Sequence, residues 1–161
     1  MNENSRNECC YLGKIYPIHG RVDETAKKIS IIWTGKSFIC ISPQSGSIDL
    51  TAAMIVFYKK EMNKIIKNRL DFYVPSIKQK YKSVKIVNSK NKWGSCDSMG
   101  NLTFHWKLAV FPIEVIDYVV VHELCHLVHM NHGRSFWRLV GKIKPNYKEL
   151  MPLLGTKKVI D

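Results

Sequence analysis

The sequence predicts a single α+β domain over residues 1–161. Two observations support this fold class. Ile, Phe, Tyr and Trp are concentrated in the first third of the chain, as they are in strands, whereas apolar residues recur at the three- and four-residue spacing of helices from Thr51 onward. The chain is long enough for one domain that buries about two-thirds of its unfolded surface, and no internal repeat or Gly/Ser-rich linker divides it.

Residues 1–48 are expected to form a β-meander. The strand-forming segments are 10–18, 29–33 and 38–42. Residues 34–36 (Thr-Gly-Lys) have the composition of a short hairpin turn between the last two segments. Residues 43–47 (PQSGS) are rich in turn formers, so we expect the strands to end there.

A basic amphipathic helix is predicted over residues 50–74, because its apolar residues alternate with lysines at helical spacing. We expect it to end before Pro75, since an interior proline removes a helical hydrogen bond. The core of the domain is predicted over residues 84–150. Its elements are a strand at 84–87, a β-hairpin at 91–106, a helix at 113–130 that follows Pro112, and a helix at 135–143.

The net charge of +12 is concentrated in one segment. Residues 51–92 contain eleven Lys or Arg against two acids, Glu61 and Asp71, which gives that segment a net charge of +9. A basic face of this kind could attract nucleic acid. A solvated, lysine-rich helix explains it more simply, because Lys outnumbers Arg ten to one in the segment and phosphate recognition tends to favour Arg.

Other classes of protein are disfavoured by what the chain lacks. No stretch approaches the ~20 apolar residues of a membrane span, and the polar start MNENSRNECC has no signal-peptide core, so we expect a cytoplasmic protein with no membrane partner. The five cysteines are odd in number and form no C-x-x-C pair. This disfavours a disulfide framework and excludes zinc ribbons and zinc fingers.

The predicted helix at 113–130 is apolar on most of its circumference, which is typical of a buried helix. Polar residues inside such a helix need partners. His122 and His126 are four residues apart, about 6 Å along the axis and on one face, so both imidazoles can reach one ion. With Glu123 between them they form the H-E-x-x-H pattern of zinc peptidases.

The residue types suit peptide hydrolysis. Neutral imidazoles leave the charge of a zinc ion uncancelled, so a zinc-bound water would become strongly acidic. Glu123 could take a proton from that water during attack on the amide carbonyl and pass it to the leaving amine. The pattern therefore predicts a zinc-dependent metallopeptidase with one Zn²⁺ and a peptide or protein substrate.

A catalytic site also needs a third protein ligand. His132 is favoured because Asn131 and Gly133 accept the backbone of a helix stop, which would fold His132 back toward the pair. Glu149 is the alternative ligand. His129 is excluded, because it lies about 10.5 Å along the helix from His122.

Two other roles of the histidines are less favoured. They could be core residues satisfied by backbone carbonyls, or they could hold a structural zinc. A structural zinc would need four protein ligands and would leave Glu123 without a purpose.

The order of short motifs resembles the YgjP-like metallopeptidases, a zincin group related to the SprT-like proteases. The matching segments are WGSC at 93–96, DYVVVHELCH at 117–126, NHG at 131–133 and FW at 136–137, within a match over about 84–150. The resemblance implies a zincin-like minimal domain, with an antiparallel β-sheet packed on the H-E-x-x-H helix. It also implies zinc ligands at His122, His126 and His132 and a catalytic Glu123.

SprT-like relatives act on DNA-bound proteins, so the alternative functions are a DNA-associated protease or a basic, nucleic-acid-associated adaptor that binds through residues 51–92. Against this, the cysteine-rich zinc ribbon of many relatives has no counterpart here.

In zincins an edge strand above the active helix holds the extended substrate, and the 91–106 hairpin could supply that edge. Trp93 and Cys96 are candidates for the cleft, although packing under the hairpin is the simpler role for Trp93 and a buried thiol the simpler one for Cys96. His105, Tyr118 and Tyr147 are candidate hydrogen-bond donors to the transition state. Phe136 and Trp137 are expected to pack the last helix against the metal helix.

Overall fold

The computed structural model describes residues 7–46 and 48–156. This part of the chain has an α+β fold, as predicted. Its first sheet contains β1 (Glu8–Tyr11), β2 (Lys14–Val22), β3 (Ser30–Trp33) and β4 (Phe38–Ser42), and its second contains β5 (Ser83–Val87), β6 (Gly94–Cys96) and β7 (Asn101–His105). The helices are α1 (Thr51–Ile77), a 3-10 helix (Trp106–Val110), α2 (Ile113–Cys125), α3 (Arg134–Ile143) and α4 (Tyr147–Thr156).

The first sheet is not the predicted β-meander. Its strand order is β1-β2-β4-β3, and β2 runs parallel to β4. The segment expected as one strand at 10–18 is two strands, because a turn at Leu12 and Gly13, both with positive φ, interrupts it. That turn docks onto the 3-10 helix through the amide of Leu12, which donates to the carbonyl of Ala109 at 2.7 Å. The predicted β3–β4 hairpin is confirmed.

The second sheet has the order β5-β7-β6. The predicted hairpin at 91–106 is confirmed, since β6 and β7 pair antiparallel around a turn that Gly100 closes by donating to the carbonyl of Asp97 at 3.0 Å. β5 and β7 are parallel. Both sheets are therefore mixed, which corrects the expected antiparallel sheet. β6 is left at an edge of its sheet.

α1 is longer than predicted. It continues through Pro75 to Ile77 and ends at Lys78, which has a left-handed backbone with φ 59°. The prediction failed because the last turn is held by tertiary contacts: Tyr73 and Ile77 are both buried in the core. Packing of these side chains outweighs the hydrogen bond that Pro75 removes.

α2 begins after Pro112 as predicted but ends at Cys125 rather than at residue 130. The amides of residues 126–128 bond three residues back, so the chain tightens there and turns away from the helix axis. α3 is present as predicted, whereas α4 was not predicted.

The core surrounds α2. Its residues Val115, Ile116, Val120, Val121 and Leu124 have no solvent-exposed surface, which confirms the predicted buried helix. α2 contacts α1, α3, α4 and the edge strand β6. The C-terminal end of α2 is thereby fixed beneath β6. In the described ranges, no helix combines the length and apolar character that a membrane crossing requires.

Candidate metal centre

Three imidazoles converge where α2 ends. His122 and His126 are on the last turn of α2 and its cap, and His132 reaches back from the loop before α3. The Nε2 atom of His132 lies 3.0 Å from Nε2 of His122 and 3.1 Å from Nε2 of His126. A tetrahedral ion with bonds of 2.0–2.1 Å would separate such nitrogens by about 3.3 Å. The cluster therefore has the dimensions of a metal site.

Within the described residues, this is the one group of three or more His, Cys, Asp or Glu side chains with converging ligand atoms. His129 and Glu149 are not part of it. His129 contributes its backbone instead, because its carbonyl lies 3.0 Å from Nδ1 of His126. A carbonyl only accepts, so Nδ1 carries the proton and Nε2 keeps a free electron pair that faces the cluster.

Aromatic rings hold the imidazoles in place. Phe136 stacks on His126 with ring centroids 4.5 Å apart, and Trp137 stacks on His132 at 5.8 Å. Tyr147 also stacks on Trp137, with ring centroids 5.4 Å apart. The FW pair at the start of α3 thus packs against the α2 end, as the sequence suggested, and does so through the imidazoles themselves.

Burial favours the neutral form of two of the three imidazoles. Burial, with smaller contributions from the neighbouring His126 and His132, lowers the pKa of His122 to about 4. Burial also lowers the pKa of His126. Neutral imidazole is the form that binds metal ions, so these two rings are ready to act as ligands near neutral pH.

Glu123 is buried beside the cluster and packs against the edge strand. Its side chain lies so close to Gly94 that a Cβ added there would come 2.8 Å from both Cγ and Oε1 of Glu123. Burial raises the pKa of Glu123 to about 8, and the positive charge of Lys92 opposes this. Gly94 and Lys92 were missed by sequence reasoning. The glycine in WGSC was a signal, since a glycine within a strand often marks a close approach of other atoms.

A cleft of about 420 Å³ opens over the cluster. One wall is residues 92–96, which include β6, and the other is the face of α2 that carries Glu123 and the histidines. Met130 and Leu154 complete the lining.

Three of the five candidate cleft or donor residues line this cleft: Trp93, Cys96 and Tyr118. The hydroxyl of Tyr118 faces Nδ1 of His122 at 3.5 Å, and burial raises its pKa to about 12. Burial likewise raises the pKa of the Cys96 thiol to about 11.

His105 and Tyr147 lie outside the cleft lining. His105 is fully buried, and its Nδ1 accepts the amide of Lys107 at 2.9 Å, so the side chain caps the 3-10 helix. Tyr147 stacks on Trp137, and its electrostatic effect contributes to the raised pKa of the cleft residue Tyr118. Tyr147 therefore lies near the cleft without lining it.

A buried ion pair links the basic helix to α2. Asp117 accepts from Nη2 of Arg69 at 2.9 Å and from the hydroxyl of Tyr73 at 3.0 Å, and Nζ of Lys144 lies 3.9 Å away. Arg69 is thus engaged internally. The ten lysines of residues 51–92 are all exposed.

Comparisons with known proteins point to a metallopeptidase. A family model described as the YgjP-like metallopeptidase domain matches residues 1–156. Among solved structures, the chain is similar to the metallopeptidase zymogen abylysin of Pyrococcus abyssi, with a TM-score of 0.52 and 23% identity over 56% of this chain and 93% of that one. No curated protein gives a significant match. The structural likeness supports the zincin-like fold, and the family match covers nearly the whole sequence. The chain therefore belongs to the YgjP-like metallopeptidase family.

Proposed function

We propose that this metallopeptidase binds one Zn²⁺ through His122, His126 and His132 and hydrolyses peptide bonds with Glu123 as general base. The observation that supports this most directly is the convergence of three imidazole Nε2 atoms beside one buried carboxyl group. Three nitrogen ligands suit zinc and leave a coordination position free for a water molecule, as catalytic sites require.

Zn²⁺ at these nitrogens would supply the acidity of the attacking water and polarise the substrate carbonyl. The remaining steps belong to the protein. Glu123 accepts a proton from the water and delivers it to the leaving amine. Without metal, burial raises the pKa of Glu123 to about 8. The positive charge of a bound zinc ion would lower that pKa and favour the carboxylate, which is the form that accepts the proton.

The edge strand β6 gives the substrate a binding surface. It borders the cleft, and its sheet partner β7 is on its other side. An extended peptide that adds to this edge would run across Glu123 and the histidines. Tyr118 also faces the cleft, and because its pKa is raised to about 12 it stays protonated and can donate a hydrogen bond to the reacting carbonyl.

Zinc content and cleavage, measured on the same preparations, test this function. Wild type and Glu123→Gln should each bind one equivalent of zinc, whereas only the wild type should cleave a quenched fluorescent peptide. His122→Ala should lose zinc and activity together. Wild-type protein that stays well below one equivalent after zinc loading would contradict the metal assignment. A Glu123→Gln variant with wild-type turnover would contradict the role of the carboxylate.

Association with nucleic acid is a second candidate, either as an adaptor or as a DNA-associated protease. The observation in its favour is the exposure of every lysine in residues 51–92. Such a surface can attract phosphate groups over distances of about a Debye length.

A further inference from the structure

A second groove, separate from the cleft, lies between β3 and the first half of α1. It encloses about 750 Å³ and shares no lining residue with the cleft. Six consecutive residues, 28–33, line one side of it. Side chains of a strand alternate between two faces, so a run of consecutive residues can line one groove only if the edge of the strand borders it. We call this feature the strand–helix groove.

The edge of β3 that borders the groove is open. β3 is the last strand in the order β1-β2-β4-β3, and its pairing with β4 occupies the opposite edge. No other strand among residues 7–46 and 48–156 pairs with it. A row of backbone N–H and C=O groups is therefore available for another strand.

α1 supplies an apolar opposite wall. Ala52, Ala53, Val56 and Phe57 line the groove at helical spacing, and the two alanines leave room between helix and strand. Val56 is 65% exposed, and Ile32 on the strand side is 46% exposed. A chain lying in the groove would cover both side chains, which favours a partner with apolar residues.

The charges of the groove favour an acidic partner. Lys28 and Lys60 line it, and neither has an ion-pair partner within the described ranges. Its two acids are engaged: Glu61 accepts from Nζ of Lys64 at 2.8 Å, and Asp49 accepts from the amide of Thr51 at 2.9 Å. With three lysines, Lys28, Lys60 and Lys64, against these two acids, the lining carries a net charge of +1, and Lys28 and Lys60 are its lysines outside the ion pairs of the described residues.

We propose that the strand–helix groove binds an extended segment of a partner protein that alternates acidic and apolar residues, by adding it as a further strand at the edge of β3. Backbone hydrogen bonds to β3 provide affinity, and alternate side chains provide specificity. Apolar side chains of the segment pack on Val56, and acidic ones lie near Lys28 and Lys60. The binding requires no peptidase activity, so it can be tested independently of the proposed zinc chemistry.

Fluorescence anisotropy of a labelled heptapeptide of alternating glutamate and valine, titrated with the full chain, measures this binding. Lys60→Glu and Val56→Glu should each weaken it by about fivefold or more, through repulsion and loss of apolar contact. Lys67→Glu is the matched control, because Lys67 is an exposed lysine of α1 outside the groove. The affinity of Lys67→Glu for the peptide should stay within about twofold of the wild-type affinity in physiological salt. All three positions are exposed, and circular dichroism melts verify that the variants fold.

Two further measurements test the binding mode. Amide NMR shifts should change in residues 28–33 and along the Ala52–Lys60 side of α1. A peptide with proline at two alternate positions should lose binding, because proline lacks the N–H that a strand donates. Shifts centred on β6, equal losses for Lys60→Glu and Lys67→Glu, full binding of the proline peptide, or no binding of the parent peptide would each overturn the proposal.

Discussion

At the scale of single residues, the position of the Glu123 carboxyl group depends on a missing side chain. Gly94 lies directly over Glu123, and a Cβ at that position would come within 2.8 Å of its Cγ and Oε1. Cβ atoms do not approach other heavy atoms this closely, so any larger residue would displace the carboxyl group or β6. The absence of a side chain at Gly94 therefore leaves the space that the carboxyl group of the proposed general base occupies.

Gly94→Ala should lower kcat by about ten- to a hundredfold, because a displacement of ~1 Å at a reacting group costs that much. Zinc content should remain that of the wild type, since the imidazoles are not displaced. Turnover of a quenched peptide and metal analysis measure the two quantities. Gly20→Ala is the control, because a Cβ there meets no atom within 4 Å. Wild-type kcat in Gly94→Ala would show that Glu123 has space to move.

The buried Glu123 carboxyl should also make the metal-free protein less stable as pH rises. Burial raises its pKa to about 8 from an ordinary value of 4.5. A group whose folded-state pKa is raised contributes stability that is fully present below its unfolded pKa and is lost as pH increases through its folded pKa. Glu123→Gln cannot ionise and should escape this loss.

Urea unfolding of the metal-free wild type and of Glu123→Gln, between about pH 5 and about pH 9, tests that expectation. As pH rises across this window, the free energy of unfolding of the wild type should fall relative to that of Glu123→Gln. The two proteins differ in no other titratable group, so the comparison isolates the contribution of Glu123. A difference that stays constant with pH would contradict burial of an ionisable carboxyl group at this position.

At the scale of elements, the Arg69–Asp117 pair joins α1 to α2. Asp117 is 5% exposed and bonds to Arg69 and Tyr73 of α1, while Lys144 approaches from the end of α3. Removing one partner of a buried pair leaves the other charge uncompensated.

Asp117→Ala should lower the free energy of unfolding by about 2–3 kcal/mol, near the lower end for buried pairs because Arg69 retains some solvent contact. Urea denaturation measures the change. Glu61→Gln breaks the more exposed pair with Lys64 on the same helix and should lower it by less than about 0.5 kcal/mol. Similar losses in both variants would mean that the Asp117 pair behaves like a surface pair.

The elements themselves were largely predictable, because their signals are local. Pro112 and the apolar run after it fixed the start of α2, and the turn at Asp97 and Gly100 fixed the β6–β7 hairpin. Pairing between distant strands, such as β2 with β4, leaves no local pattern, so the mixed sheets were not foreseen.

Some features of the candidate site could likewise be predicted from local sequence, and others could not. The spacing of His122, Glu123 and His126 follows from helical pitch, and a helix stop next to His132 is visible in the sequence. By contrast, Gly94 lies over Glu123, and Arg69 reaches Asp117 across 48 positions. Such contacts depend on tertiary packing, and sequence reasoning had assigned Arg69 to the basic helix alone.

At the scale of the whole molecule, the cleft and the strand–helix groove are separate surfaces. The cleft lies between β6 and α2, and the groove lies between β3 and α1. Exposed lysines continue from the groove side of α1 through the connection to β5. A partner that bound the groove, or the lysines of residues 78–82, would touch no residue of the cleft lining. The net charge of +12 gives the molecule a long-range attraction for acidic partners in either case.

Nucleic acid is one such acidic partner. If the lysines bind phosphate groups, the logarithm of the affinity for a short DNA duplex should fall linearly with the logarithm of salt concentration, because each contact releases counterions. Charge reversal at Lys78, Lys80 and Lys82 should make that slope shallower by about one unit per lost contact. Lys14→Glu, an exposed lysine on β2, should leave it unchanged. Filter binding across a salt series measures the slopes, and an affinity that is the same at low and physiological salt would rule out binding through these lysines.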